Sequence, residues 1–229
     1  MPRSCTELYN SEKYMIDRLI REFRRDWGPE QLTEALSPYR LGEPVATDGE
    51  QAVVFAAHSI EPFEAVGAVI KLPCTSGESS ILHSTFEDRV AALREEARVM
   101  GKCRGADHVV QVLADRTASE FPHLVLERLG ESLETRIEAS APGDADSGLS
   151  VVDALVVMRD AAAGLQAIHQ VGECHQDVKP GNILWSLGRG WVLIDPTTPD
   201  YFTEEYLDRW FMTGRQRDFV ALGRTFLAA

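Results

Sequence analysis

Apolar residues recur at helical spacing from Thr6 to Trp27. Ile16, Leu19, Ile20, Phe23 and Trp27 share one face, and Arg and Glu take the other. Gly28-Pro29 stops this helix, and a shorter one over Glu30 to Leu36 follows. From Tyr39 the pattern changes. The segments YRLGEPVA, AVVFAAHS and AVGAVIKL read as three short strands, joined by turn-rich pieces such as Thr47-Asp48-Gly49. A helix follows from Phe86 to Met100, where Ser84 or Thr85 can cap the start, each with an acid three residues on. HVVQVLADR and HLVLER then read as two more strands.

The second half is mostly helical. Ser132 to Glu138 suits a short helix, and ASAPGDADSG has the composition of a flexible loop. Ser150 caps a long helix ending near Gly172, whose apolar face is expected to include Leu155, Met158, Ala162 and Leu165. NILW and WVLID form a hairpin around Gly188-Arg189-Gly190. The pattern contains no internal repeat, and it predicts an α+β chain with strands first and helices after.

Composition narrows the classes. Hydrophobic residues make up 44% of the 229, enough for a core. The formal net charge of -13 argues against a nucleic-acid partner, because phosphate binding needs a basic surface. No stretch is apolar for long enough to span a bilayer, and none resembles a signal peptide, so no membrane partner and a cytoplasmic location are expected. Cys5, Cys74, Cys103 and Cys174 lack the CxxC spacing of a zinc site.

The candidate chemistry lies between the long helix and the hairpin, in CHQDVKPGNILW, Cys174 to Trp185. Asp177, Lys179 and Asn182 sit in one loop, and the hairpin ends at Asp195. These four residues suit phosphoryl transfer, which is mainly positioning and charge neutralisation. Asp177 can orient an attacking hydroxyl and take its proton. Lys179 can steady the moving phosphoryl group. Asn182 and Asp195 offer the oxygen ligands magnesium prefers.

HQDVKPGNIL resembles the catalytic loop H-R-D-L-K-x-x-N of the protein kinase family, of the Ser/Thr, bacterial-like type. AVIKLP resembles that family's V-A-I-K strand, which implies that Lys71 binds nucleotide phosphates. Of Glu95 and Glu96, Glu96 shares the inward face of Leu93 and Met100 and is the expected partner of Lys71. HLVLERLGESL resembles the interlobe hinge, where Leu126 would back the adenine pocket and the backbones of Glu127 and Leu129 would bind adenine. RDFVALG resembles the helix start whose acid, Asp218, braces the catalytic loop, and TPDYFTEE resembles the end of the activation segment. His175 and His169 are expected to be packed rather than catalytic.

The resemblance implies ATP and Mg as cofactors and a two-lobed protein-kinase-like fold. Its strand-rich N-lobe, 39–127, carries one helix, and its helical C-lobe, 128–229, lacks its last helices; residues 1–38 form a helical extension. The chain departs from the family in four places. Gly42 and Gly49 stand without the tight glycine triplet of the phosphate loop. The family's D-F-G reads Asp195-Pro196-Thr197, which suggests a locked geometry. The activation segment is short, leaving Thr197, Thr198 and Tyr201 as surface-loop residues, and Gln176 replaces the usual Arg. The chain ends at Ala229, so Phe219, Leu222 and Phe226 of the last helix are expected to face water or a covering partner. The leading expectation is phosphorylation of Ser or Thr in a protein substrate. A pseudokinase scaffold that binds nucleotide or a regulatory protein is one alternative, and a small-molecule phosphotransferase another.

Overall fold

The computed structural model describes residues 29–46, 52–59, 67–73, 85–140, 149–196 and 213–228. The expected helix over Thr6 to Trp27, and Ser84, Gly49, Thr197, Thr198 and Tyr201, lie outside the described residues. The fold has mixed helical and antiparallel-sheet content and divides into two compact units. One unit holds residues up to Arg94 together with Leu113–Arg128, and the other holds Glu95–Val112 together with Leu129 onward. Among the described residues no helix is long and apolar enough to cross a membrane.

The first unit begins with α1 (Pro29–Leu36), β1 (Tyr39–Ala46), β2 (Ala52–Ser59) and β3 (Ala68–Pro73). α2 (Phe86–Lys102) follows, and the division between units falls within it. β4 (Val112–Asp115) and β5 (Leu124–Glu127) complete a five-stranded sheet of order β1-β2-β3-β5-β4. β1 lies at the edge, where Pro44, which lacks a donor, is tolerated between two shifts of register. Leu32 and Leu36, one helical turn apart on α1, pack with Phe55, Ile70, Leu72 and Phe121. Thr85 caps α2: its Oγ1 accepts from Asp88 N at 3.2 Å, while its own N donates to Asp88 Oδ2 at 2.8 Å.

The second unit contains α3 (Leu133–Ala139), α4 (Val151–Gln170), a 3-10 turn (Pro180–Asn182), β6 (Ile183–Ser186), β7 (Gly190–Leu193) and α5 (Gly214–Ala228). Ser132 and Ser150 cap α3 and α4, accepting from Thr135 N and Asp153 N at 3.1 Å each. The β6–β7 hairpin pairs Trp185 with Trp191, and Gly188 and Gly190 take positive φ in its turn. Leu133, Leu165, Ile168, Ile183 and Leu193 are fully buried at the centre of this core.

Three sequence expectations need correction here. The strand expected over His108 to Arg116 is shorter, because His108 to Val110 bond to the end of β7 instead. Leu193 N donates to His108 O and Val110 N to Leu193 O, both at 3.0 Å. The buried face of α4 is Ala154, Val157, Ala161, Gly164, Leu165 and Ile168; of the expected residues Leu165 is buried and Met158 and Ala162 pack against the core, but Leu155 is 54% exposed. Small residues define that face because the neighbouring backbone comes close. A Cβ on Gly164 would lie 2.4 Å from His108 O. Finally, α5 starts at Gly214, four residues before Asp218. Thr213 and Gln216 form its capping pair, and Leu222 is buried in the core while Phe219 is 58% exposed.

Candidate active site

Two fully buried carboxylates set the backbone of the site. Asp218, on α5, accepts from His175 N through Oδ2 at 2.9 Å and from Gln176 N through Oδ1 at 2.6 Å. It therefore braces the segment that leads into Asp177, as the sequence motif suggests. His169, on the last turn of α4, joins Asp218 Oδ2 through Nε2 at 2.7 Å. Asp160, on the buried side of α4, accepts from Trp191 N through Oδ2 at 3.1 Å and so holds the start of β7. Nothing in the motifs singled out Asp160. The available signal was an Arg-Asp pair within the otherwise apolar run VVMRDAAAGL.

The loop between α4 and β6 brings Asp177, Lys179 and Asn182 together. Lys179 Nζ lies 2.8 Å from Asp177 Oδ2. Asn182 Nδ2 donates to the same oxygen at 2.8 Å and to the Asp177 carbonyl at 2.9 Å. The 3-10 turn closes this arrangement, with Asn182 N donating to Lys179 O at 2.9 Å. Because its Nδ2 faces Asp177, the Asn182 amide turns Oδ1 to the opposite side. Ile194 N donates to Asn182 O at 3.0 Å, so the hairpin places Asp195 one residue beyond a direct backbone bond to Asn182. An amide oxygen and a carboxylate fit a magnesium ion, which takes hard oxygen donors.

Among the described residues only Gln176, at 69°, and Asp195, at 56°, have positive φ without being glycine. Such geometry costs roughly 1–3 kcal/mol and gathers at functional sites. His175, next to Gln176, is completely buried. Burial pushes its imidazole below the usual range, against the pull of Asp218, Asp177 and Asp195, so it is a neutral, packed residue.

The remaining expected site residues lie on other elements. Lys71 is buried on β3 of the first unit, in register with Val54 and Leu124. Glu96 is buried on α2, and its neighbour Glu95 pairs with exposed Arg98, as the helical phase requires. Arg98 also bonds Glu173, at 2.6 and 2.8 Å, and Lys102 adds a further contact to it. These cations hold the Glu173 carboxyl down at about 2. Glu127 ends β5 in register with Ala68, and Leu129 is half-buried just beyond it. Gly42 packs on His58, and a Cβ there would come within 2.5 Å of His58 Nε2.

No family model matches the chain. Curated proteins do. Over 99 residues, 42% of this chain, it is 38% identical to serine/threonine-protein kinase PknK of Mycobacterium tuberculosis, covering 8% of that protein. Over 113 residues it is 36% identical to the serine/threonine-protein kinase drp72 of Corynebacterium efficiens, covering 45% of this chain and 20% of the relative. A broader match takes in 76% of this chain at 25% identity. It is to a probable serine/threonine-protein kinase, the MRK1 homologue of Encephalitozoon cuniculi, of which it covers 51%. The chain thus spans from under a tenth to about half the length of these relatives. The similarities support a protein-kinase-like family.

Proposed function

We propose that this chain uses ATP and magnesium to phosphorylate Ser or Thr hydroxyls of a protein. The observation that carries this reading is the Asp177 carboxylate held by both Lys179 Nζ and Asn182 Nδ2 at 2.8 Å. Asp177 orients the acceptor hydroxyl and takes its proton as the oxygen attacks. Lys179, already beside that carboxylate, neutralises charge on the transferring group. Asn182, through Oδ1, and Asp195 hold the cation, and magnesium-bound ATP supplies the phosphoryl group. Lys71 takes the phosphate-binding role and Glu96 its counter-charge on the strength of the sequence motif. Gly42, Gly49 and the backbones of Glu127 and Leu129 take the remaining nucleotide contacts on the same ground.

The test is transfer from γ-labelled ATP to generic Ser/Thr-containing acceptor proteins, with Asp177→Asn beside the wild type. Loss of a general base lowers the rate roughly 10²–10⁴-fold. Magnesium-ATP thermal shifts on wild type, Lys71→Ala and Asp195→Ala report binding separately. Transfer that survives Asp177→Asn would sink the catalytic assignment.

A second reading, a pseudokinase that binds nucleotide or a protein without turnover, draws on Gly42. That glycine accommodates His58, and a single tightly packed glycine is a poor phosphate cradle. A thermal shift without any label transfer would favour it.

A further inference from the structure

His169, Cys174 and Asp218 form a cluster that phosphoryl transfer does not fully use. Their ligand atoms, Nε2, Sγ and a carboxylate oxygen, all lie within 4.8 Å of one another. His169 and Asp218 are buried and Cys174 is half-buried. We propose that these three side chains form a binding site for a divalent transition metal of the zinc class, with a fourth position open to water or an added ligand.

The donor set selects the metal. Nitrogen, sulfur and carboxylate oxygen together suit zinc or cobalt(II), whereas magnesium avoids thiolate. The surroundings already hold the ligands. Asp218 is aimed by the backbone N–H groups of His175 and Gln176, the kind of outer support that orients a metal-bound carboxylate. Arg215 Nη2 donates to the His169 carbonyl at 2.6 Å, and the Phe219 ring meets the His169 ring edge-on at 5.5 Å between centroids. Gly214 gives the sulfur its room, since a Cβ there would come within 2.7 Å of Cys174 Sγ.

Bonds of about 2.0–2.1 Å to nitrogen and oxygen place tetrahedral ligands roughly 3.3 Å apart. His169 Nε2 and Asp218 Oδ2, now 2.7 Å apart, therefore separate by about 0.6 Å when the metal enters. Binding forms metal–nitrogen, metal–sulfur and metal–oxygen bonds. The Cys174 thiol proton leaves to solvent, and the His169 proton that now lies between Nε2 and Asp218 Oδ2 is exchanged through solvent to Nδ1. Because the Cys174 thiol must lose its proton to ligate, metal competes with protons for the site. The ligands sit 5 and 44 residues from one another along the chain, a spacing with no linear zinc signature. Because Asp218 also carries the backbone ahead of Asp177, metal occupancy acts on the segment that positions that residue.

The test is cobalt(II) titration of the full chain, reduced with a non-thiol reagent and stripped of metal. The expected result is one equivalent of cobalt with thiolate-to-cobalt absorbance in the near ultraviolet, abolished by zinc. The band should vanish in Cys174→Ser and in a second variant, His169→Gln, and survive in Cys103→Ser and Asp195→Asn. Circular dichroism checks that each variant is folded. A folded wild type without the band, or a band that survives Cys174→Ser, overturns the proposal. Neither readout depends on phosphoryl transfer.

Discussion

Replacing Gly164 by Ala sets helix propensity against sterics and asks which wins. In the interior of an exposed helix the change should stabilise by about 0.8–1.0 kcal/mol. On α4 the new Cβ would lie 2.4 Å from His108 O and 2.9 Å from Leu193 Cδ1. A relaxed carbon–oxygen contact is about 3.3 Å, so the helix or the His108 backbone must yield by roughly 0.9 Å. The His108 carbonyl cannot move freely, because it accepts from Leu193 N at 3.0 Å. Overpacking costs about 1–3 kcal/mol, and weakening that bond adds up to about 1. Sterics win, and Gly164→Ala should destabilise by about 2 kcal/mol. In urea, with a slope of roughly 2–3 kcal/mol per M, the midpoint falls by about 0.7–1 M. Gly223→Ala on α5 is the control in the same unit. Its Cβ meets nothing within 4 Å, so propensity acts alone and stability rises by about 0.5–1 kcal/mol. If Gly164→Ala proves as stable as the wild type while Gly223→Ala behaves as stated, the close approach of α4 to the His108 and Leu193 backbone is wrong.

Asp218→Asn leaves one carbonyl oxygen for two backbone donors and turns an NH₂ toward one of them. It should cost about 3 kcal/mol in chemical denaturation, since bonds to a buried charge contribute roughly 1.5–3 each. Asp195→Gly should be more stable than Asp195→Ala by about 1 kcal/mol, because only glycine is relaxed at a φ of 56°. Equal midpoints would remove the case for strain there, and both variants should lose the magnesium-dependent thermal shift. Glu173, with its carboxyl depressed to about 2, contributes stability that is full above the unfolded value near 4.5 and lost as pH falls toward 2. Its cationic partners are well exposed, so Glu173→Gln should cost only about 1 kcal/mol at neutral pH. That deficit should shrink in high salt and fade as pH falls from about 4.5 through 2, and a deficit as large at pH 2 as at neutral pH refutes the ion-pair account.

The loop chemistry was legible because it is local. Asp177, Lys179 and Asn182 lie within six residues, and a 3-10 turn started by Pro180 is enough to gather them. Capping was legible for the same reason: Ser150 caps its helix as expected, and of Ser84 and Thr85 the described Thr85 caps α2. The face of α4 was legible only in part. Nearly every position between Val151 and Ile168 is apolar or small, so hydrophobicity alone does not fix the helix phase. What decides it is clearance. Gly164 turns inward where the His108 backbone leaves no room even for a Cβ, Ala154 and Ala161 share that face, and Leu155 is left outside. The same limit hid the end of β7 as a partner for His108 to Val110, a contact some 85 residues distant that no local pattern encodes.

The two fully buried carboxylates of the second unit bear on why the site holds its shape. A buried charge destabilises unless hydrogen bonds compensate it, and an apolar residue would often stabilise such a position more. Asp160 and Asp218 nevertheless occupy the core: Asp218 is compensated by two backbone N–H groups and by His169, and Asp160 by the Arg159 guanidinium and one backbone N–H. Asp160 holds Trp191 at the start of the strand ending before Asp195. Asp218 holds His175 and Gln176 on the approach to Asp177. Gln176 and Asp195 are also the two strained residues, so each strained backbone position lies on a segment gripped by a buried acid. At Gln176 a pair of directional, charge-assisted bonds, to its own N–H and to that of His175, can over-determine the backbone, because an apolar contact has no preferred angle and a carboxylate does.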